Sequence, residues 1–294
     1  MYSELQKKLA DGYILRERYK IIRLLSDSTG FGITYLAEDL DLPNNHKCVV
    51  KQLKLNNSKP EVVRIATRLF KDESNHLYRL GKHDQIPRLY ARFQENNEFY
   101  LVQEYIKGKD LFSEIIPGRL WDESETIKYL KEILEVLDFV HQKNIIHRDI
   151  KPDNIIRRDH DGKLVLIDFG AVKEINTTTV DIQGQERKTV CIGPLSYMPI
   201  EQHQGKPVLA SDIYLVGVTC IWGLTGTHCI DGWRNRNNIR VSHNLATIIN
   251  KMIDDKWQNR YQNAHEALTA INQMNSDTHM TTISEKFWNW FNNG

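Results

Sequence analysis

No run of apolar residues in the 294-residue chain approaches the roughly 20 that crossing a bilayer requires. Nothing near Met1 reads as a secretory leader, because Ser3 to Lys8 is polar and charged. The four cysteines, Cys48, Cys191, Cys220 and Cys229, lack the paired spacing of a zinc site or a dithiol switch. Reduced thiols in a cytoplasmic protein are the expectation. A formal net charge of +1 provides no general attraction to nucleic acid. What is present is ordinary for a globular protein: 40% hydrophobic and 26% charged residues. The length suits one large domain or two lobes sharing a cleft.

The most informative stretch is Ile145-Ile146-His147-Arg148-Asp149-Ile150-Lys151-Pro152-Asp153-Asn154. Further on, the apolar run Leu164 to Ile167 delivers Asp168-Phe169-Gly170. Two short loops, each fed by a buried strand-like run, thus carry carboxylates, an amide and a lysine. A phosphate chain with magnesium needs such a set. One carboxylate accepts a hydroxyl proton, while an amide and a second carboxylate hold metal. Either triplet alone would be a polar turn. Both together, in order and with Lys and Asn at fixed offsets, resemble the catalytic and magnesium-binding loops of the protein kinase family.

The resemblance covers about residues 19–274 and implies an α+β, bilobal fold. A small β-rich lobe would run over 19–104 and a helical lobe over 105–274. Residues 1–18 read as a short charged leading helix and 275–294 as an aromatic-rich tail. Tyr19 to Leu25 and Ile33 to Ala37 read as a hairpin covering the phosphates. Its turn keeps only Gly30 and Gly32, with Asp27 an unfavourable charge near phosphate. Lys51, ending the strand-like Cys48 to Lys51, would pair with Glu73 on a helix over Pro60 to Leu80 and so meet the phosphates. Around the nucleotide the resemblance places Leu25, Val49 as roof, Ile156 as floor, and backbone groups of Glu104 and Ile106 on adenine. Asp110 would reach the ribose, and Gln103 would guard the back of the pocket. Leu77, Leu89, His147 and Phe169 match the family's apolar spine.

By the same resemblance Asp149 is the catalytic base, Lys151 neutralises the transferring phosphoryl group, and Asn154 and Asp168 hold Mg2+. The Asp-x-Lys-Pro-x-Asn form is that of serine/threonine kinases. ATP and a protein carrying a Ser/Thr hydroxyl are therefore the expected substrates. Asp122 to Lys143 reads as an amphipathic helix started by a capping box of Asp122 and Glu125. Asp212 would anchor the catalytic-loop backbone, and Glu201 would pair with Arg260. The segment Ala171 to Glu201 lacks periodicity, and Pro194 stands where the family has a threonine. Thr189, or the run Thr177 to Thr179, would take a phosphate from autophosphorylation or an upstream kinase and engage Arg148. Thr227 to Val241 suggests an abbreviated substrate-side helix. Phe287, Trp288, Trp290 and Phe291 read as a helix packed on the large lobe, with membrane-surface contact as the minority alternative. Segments such as Gln85 to Leu89 look bacterial, even cyanobacterial. The rival reading is a pseudokinase scaffold, supported by the depleted glycine loop, Gln103, Pro194 and the altered Pro199-Ile200-Glu201. Against it stands the complete set Lys51, Glu73, Asp149, Lys151, Asn154 and Asp168.

Overall fold

Strand alternation builds the first part of the chain. The computed structural model describes residues 8–27, 32–44, 46–53, 60–96, 98–115, 119–169, 173–174, 197–234 and 241–274. Two units divide it: residues 1–108, 158–161 and 165–172 form one, and 109–157, 162–164 and 173–294 the other. In the first, β1 (Ile14–Leu15), β2 (Tyr19–Ser26), β3 (Gly32–Asp39) and β4 (His46–Leu53) precede helix α1 (Pro60–Leu80), and β5 (Leu89–Glu95) and β6 (Glu98–Glu104) follow it. These strands form one sheet in the order β1-β2-β3-β4-β6-β5, antiparallel at every pairing. With a side-chain period of two, Tyr35, Cys48, Val50, Tyr100 and Val102 share a buried face with Leu15 and Ile21. Lys51 therefore points to the opposite face, where it stands across from Leu101 in register. A slip of one residue would bury Lys51 in the apolar cluster instead.

The leading helix expected over residues 1–18 is not found in its described part, residues 8–18. Those residues extend the sheet instead. Leu15 pairs with Tyr19, Gly12 N–H donates to Ile21 O at 2.8 Å, and Ile21 N–H returns to Tyr13 O at 2.8 Å. The return turn is tight enough to hold Arg16 and Glu17 at φ 51° and 56°, the left-handed region. Leu9 N–H donates to the Tyr35 hydroxyl at 3.1 Å, and that hydroxyl donates to the buried Gln52 Oε1 at 3.0 Å. Lys8 forms an ion pair with Asp27. The helix fails because Leu15, 0% exposed, closes the sheet's apolar cluster. Tertiary burial outweighs the weak helix preference of a short charged segment.

The second unit is mainly helical. It holds α2 (Leu111–Glu114), α3 (Glu123–His141), α4 (Ile200–His203), α5 (Leu209–Thr225), α6 (Ile230–Arg234), α7 (His243–Met252) and α8 (residues 264–274). Short strands β7 (Gly108–Asp110), β8 (Ile145–Ile146), β9 (Ile155–Arg158), β10 (Leu164–Leu166) and β11 (Lys173–Glu174) punctuate the chain, and β8 pairs antiparallel with β11. The capping box opens α3 as expected: Glu125 N–H donates to Asp122 Oδ1 at 2.7 Å and Asp122 N–H to Glu125 Oε2 at 3.1 Å. α6 has 5 residues, consistent with an abbreviated helix in that segment. Gly30, the Thr177 to Thr189 candidates, Pro194 and the aromatic tail lie outside the described residues.

A buried ion pair ties α4 to the far end of the unit. Arg260 Nη1 donates to Glu201 Oε1 at 2.7 Å, with the side chains 0% and 5% exposed. Ser211 Oγ donates to the same oxygen at 2.7 Å. Removing one partner strands a buried charge, so Arg260→Met is expected to cost about 3–5 kcal/mol in urea unfolding. A loss below about 1 kcal/mol would show that the pair behaves as a solvated one. In the sheet, Leu15→Ala is expected to cost about 3 kcal/mol by the same measurement. A neutral result would mean that residues 8–18 rest on the sheet without completing it.

Candidate active site

Lys51 is held between two carboxylates of the first unit. Its Nζ lies 3.2 Å from Glu73 Oε1 and 2.9 Å from Asp168 Oδ1, and all three side chains are less than a fifth exposed. The expected Lys51–Glu73 pair is therefore present, with Asp168 as a second partner. α1 brings Glu73 there because Phe70, Leu77 and Leu80 bury on its sheet-facing stripe while Asp72 is exposed. Burial works to strip the proton from Lys51, but the charges of Asp168 and Glu73 prevail and raise its pKa above the ordinary lysine value. Burial and the like charge of Asp168 push Glu73 up, against the pull of Lys51. Asp168 has φ 64°, a left-handed backbone that costs a non-glycine residue about 1 kcal/mol or more. Strain of this kind gathers where a side chain must be aimed.

A cavity of about 30 Å³, room for a water or two, is lined by Gly32, Thr34, Lys51, Phe70, Glu73 and Asp168. Gly32 is required for a reason the sequence did not show. A Cβ there would collide with the backbone carbonyl of Gln52 on the neighbouring strand. Val49 pairs with the buried Gln103 in register, and Gln103 also pairs with Leu89. Leu25 is exposed at the end of β2. Glu104 N–H donates to Arg88 O at 2.9 Å, which leaves only its carbonyl for adenine. Ile106 is buried, as are Leu77 and Phe169.

Asp149 is organised within the second unit. Lys151 Nζ donates to its two carboxylate oxygens at 3.1 and 2.9 Å. Asn154 Nδ2 donates to Asp149 O and Oδ2, both at 2.8 Å. The turn Pro152–Asn154, a single 3-10 turn with Pro at its start, brings the amide back over the aspartate. Beneath the loop, Asp212 Oδ2 and Oδ1 accept the N–H groups of His147 and Arg148, each at 2.8 Å. Arg148 has φ 70°, and Gln202 Nε2 donates to its carbonyl at 2.7 Å. Burial lowers the Arg148 guanidinium to about 10, against Asp212 and Asp149, so it remains charged at neutral pH.

Sequence reasoning missed two supports of this loop. His141 Nδ1 accepts from Ala264 N–H at 3.1 Å, which leaves its proton on Nε2 to be donated to Asp212 Oδ2 at 3.1 Å. Gln202 is the other. The available signal was a polar residue continuing the apolar stripe of α3 past Leu137. Asp110, expected at the ribose, instead caps α2: its Oδ1 accepts from Ser113 N at 2.7 Å and Ser113 Oγ at 2.5 Å. Only its second oxygen remains for a sugar hydroxyl. Ile156 is half-buried in the second unit, where His147 is buried.

The donor chemistry fits Mg-ATP. Asn154 uses its amide nitrogen on Asp149, which leaves its amide oxygen as a hard donor, and Asp168 offers a carboxylate. Asn154 belongs to the second unit and Asp168 to the first. Among the described residues no cluster of three or more His, Cys, Asp or Glu could hold a metal by itself. Oxygen donors of this kind suit Mg2+, which keeps waters and phosphate oxygens in its shell.

Comparison with known proteins agrees. The protein kinase domain family matches residues 30–286. The chain is 42% identical over 268 residues to the serine/threonine-protein kinase PknA of Nostoc sp., covering 88% of this chain and 47% of that protein. It is 41% identical over 271 residues to serine/threonine-protein kinase B of Synechocystis sp., covering 87% and 46%. The chain thus spans about half the length of these curated relatives. The crystal structure of the Mycobacterium tuberculosis PknI kinase domain is alike in fold, with a TM-score of 0.67 at 21% identity over 90% of this chain and 99% of that one. On a match spanning residues 30–286 and motif loops in family order, the chain belongs to the protein kinase family and has its α+β, bilobal fold.

Proposed function

We propose that the chain is a serine/threonine protein kinase that transfers the γ-phosphoryl group of ATP to a protein hydroxyl. The observation that carries this reading is Asp149, whose carboxylate is bonded by both Lys151 and Asn154. A base held by two donors keeps one orientation. It can take the proton of a Ser or Thr hydroxyl as the oxygen–phosphorus bond forms. The bond from the γ-phosphorus to the bridging oxygen breaks, and ADP leaves with that oxygen.

Lys151 is placed to move from Asp149 to the transferring phosphoryl oxygens, a charge neutralisation that strengthens as the group loosens from its leaving oxygen. Lys51, kept charged by Glu73 and Asp168, would bind the α- and β-phosphates. Asn154 and Asp168 would hold Mg2+, which supplies neutralisation of phosphate charge. The carbonyl of Glu104 and backbone groups of Ile106 would meet adenine between Val49 and Ile156, with Leu25 and Gly32 alongside. The names of the relatives support serine/threonine specificity, as does Lys151 in the Asp-x-Lys-Pro-x-Asn loop. The protein substrate and its phosphorylation control follow from the same reading, and a cytoplasmic location fits the absence, among the described residues, of a helix able to cross a membrane.

Asp149→Asn is expected to lower transfer to a basic test protein by a factor of about 10² or more, the scale of general base catalysis. Its ATP affinity should stay within twofold of wild type by calorimetry. Asp168→Asn is expected to weaken ATP binding in magnesium and leave it unchanged in EDTA. Full activity of Asp149→Asn would remove the base assignment. Wild-type protein that binds Mg-ATP yet phosphorylates neither itself nor any test protein would be a scaffold rather than an enzyme.

A further inference from the structure

Asp27 puts a negative charge where the first unit's hairpin enters the turn assigned to the phosphates, and no step of the transfer uses it. Like charges brought together repel, so a bare carboxylate there would oppose a polyphosphate ligand. The fold supplies a counter-charge from the leading segment. Lys8 forms an ion pair with Asp27, across 19 positions in sequence. Both residues precede the match to the kinase family, which begins at residue 30.

Strand register shows which side of the sheet this pair occupies. Thr34 of β3 stands opposite Ser26 of β2 and opposite Lys51 of β4. Thr34 and Lys51 both line the small cavity that also takes in Gly32 and Asp168. Directly opposed residues share a face, so Ser26 belongs to the cavity side. Alternation then sends the next side chain, Asp27, to the other side. That is the side of Tyr35, which follows Thr34 and belongs to the buried cluster.

Lys8 approaches from the same side. Leu9, its neighbour, packs against the cluster and donates its N–H to the Tyr35 hydroxyl at 3.1 Å. Burial raises the Tyr35 phenol, and the charges of Lys8 and Asp27 then act on it in opposite directions, as neighbours of one hydroxyl do. The backbone that carries Lys8 is tied to the sheet through Gly12 and Tyr13, each bonded to Ile21 at 2.8 Å. With side chains 56% and 43% exposed, the pair is solvated and adds little to stability. What it fixes is the position of a charge.

We propose that Lys8 is a positioning residue for nucleotide binding, which holds the Asp27 carboxylate neutralised on the face of the sheet away from the phosphates of ATP. The proposal rests on the kinase reading for its ligand, but it concerns binding and does not require transfer. Without Lys8 the carboxylate loses the cation that keeps it on that face, and its charge adds to those of the phosphates. Arginine at position 8 preserves the pair.

The test measures binding of Mg-ATP and of adenosine to the full chain by calorimetry in dilute buffer, and ATP dependence of transfer by steady-state kinetics. Lys8→Ala is expected to weaken Mg-ATP about threefold, the scale of one exposed ion pair. Adenosine, which carries no phosphate, should bind it as it binds wild type. In transfer the same variant should raise KM for ATP and leave kcat unchanged. The loss should shrink in high salt, which screens exposed charges. Lys8→Arg should match wild type. Asp27→Asn should bind Mg-ATP at least as well as wild type, and adding Lys8→Ala to it should change nothing further. A merely structural role for Lys8 would not vanish in that way. A loss equal for ATP and adenosine would overturn the proposal, because it would come from the sheet rather than from charge. A loss that persists beside Asp27→Asn would also overturn it, as would unaltered Mg-ATP affinity in Lys8→Ala. Wild-type protein that binds no Mg-ATP would remove the nucleotide reading and the proposal together. Mg-ATP binding with the expected dependence on Lys8, but without transfer, would uphold the proposal and remove the enzyme reading alone.

Discussion

The carboxylate of Asp212 is the constraint on which the catalytic loop depends. It is fully buried, and a buried carboxylate is tolerated only where donors surround it. Here the donors are two consecutive backbone N–H groups and the imidazole of His141. Their convergence forces Arg148 into the left-handed region, and Gln202 takes up the carbonyl on the other side of the same residue. The loop is thereby bonded on both edges before any substrate arrives. Asp149, next in the chain, inherits its backbone position from those bonds, and Lys151 and Asn154 then hold its carboxylate. Preorganisation of this type is what lets a carboxylate act as a base without first having to be reoriented.

A different balance governs the first unit. One ammonium, on Lys51, faces two carboxyl groups within a partly buried space, where burial and the like charge of Asp168 push Glu73 up against the pull of Lys51. A cation bound there would relieve the repulsion between the two carboxyl groups. The β-strand alternation that sends Val50 into the apolar face sends Lys51 to this one, so packing above the sheet and charge below it are set by the same register.

Much of this was legible in the sequence, and the exceptions have physical reasons. α1 spans Pro60–Leu80, as its apolar spacing and its opening proline indicate, and the Asp122–Glu125 box starts α3 where side-chain chemistry says it should. These elements are long, so periodicity averages over several turns. β1 has two residues and α2 has four, too few for any period to register. That is why the leading segment looked helical and why Asp110 was assigned to a ribose rather than to a cap. The partners of Asp212 show a second limit. Asp212 could be recognised from its motif, but His141 reaches it through space across 71 residues, and Gln202 reaches the Arg148 carbonyl across 54. Gly32 is a third case: glycine there answers the carbonyl of Gln52, a neighbour that only strand register reveals.

The sheet's dependence on its first strand bears on how this fold can be borrowed. The match to the kinase family begins at residue 30, whereas Leu15, Tyr19 and Ile21 already belong to the buried cluster. A chimera joined at that border would carry the catalytic motifs but not the lid of its own small sheet. The recipient would have to supply an edge with the same apolar spacing, since Tyr35 and Val50 would otherwise face water. For transplantation the functional unit therefore starts before Leu9, whose backbone N–H completes the chain of bonds through Tyr35 to Gln52.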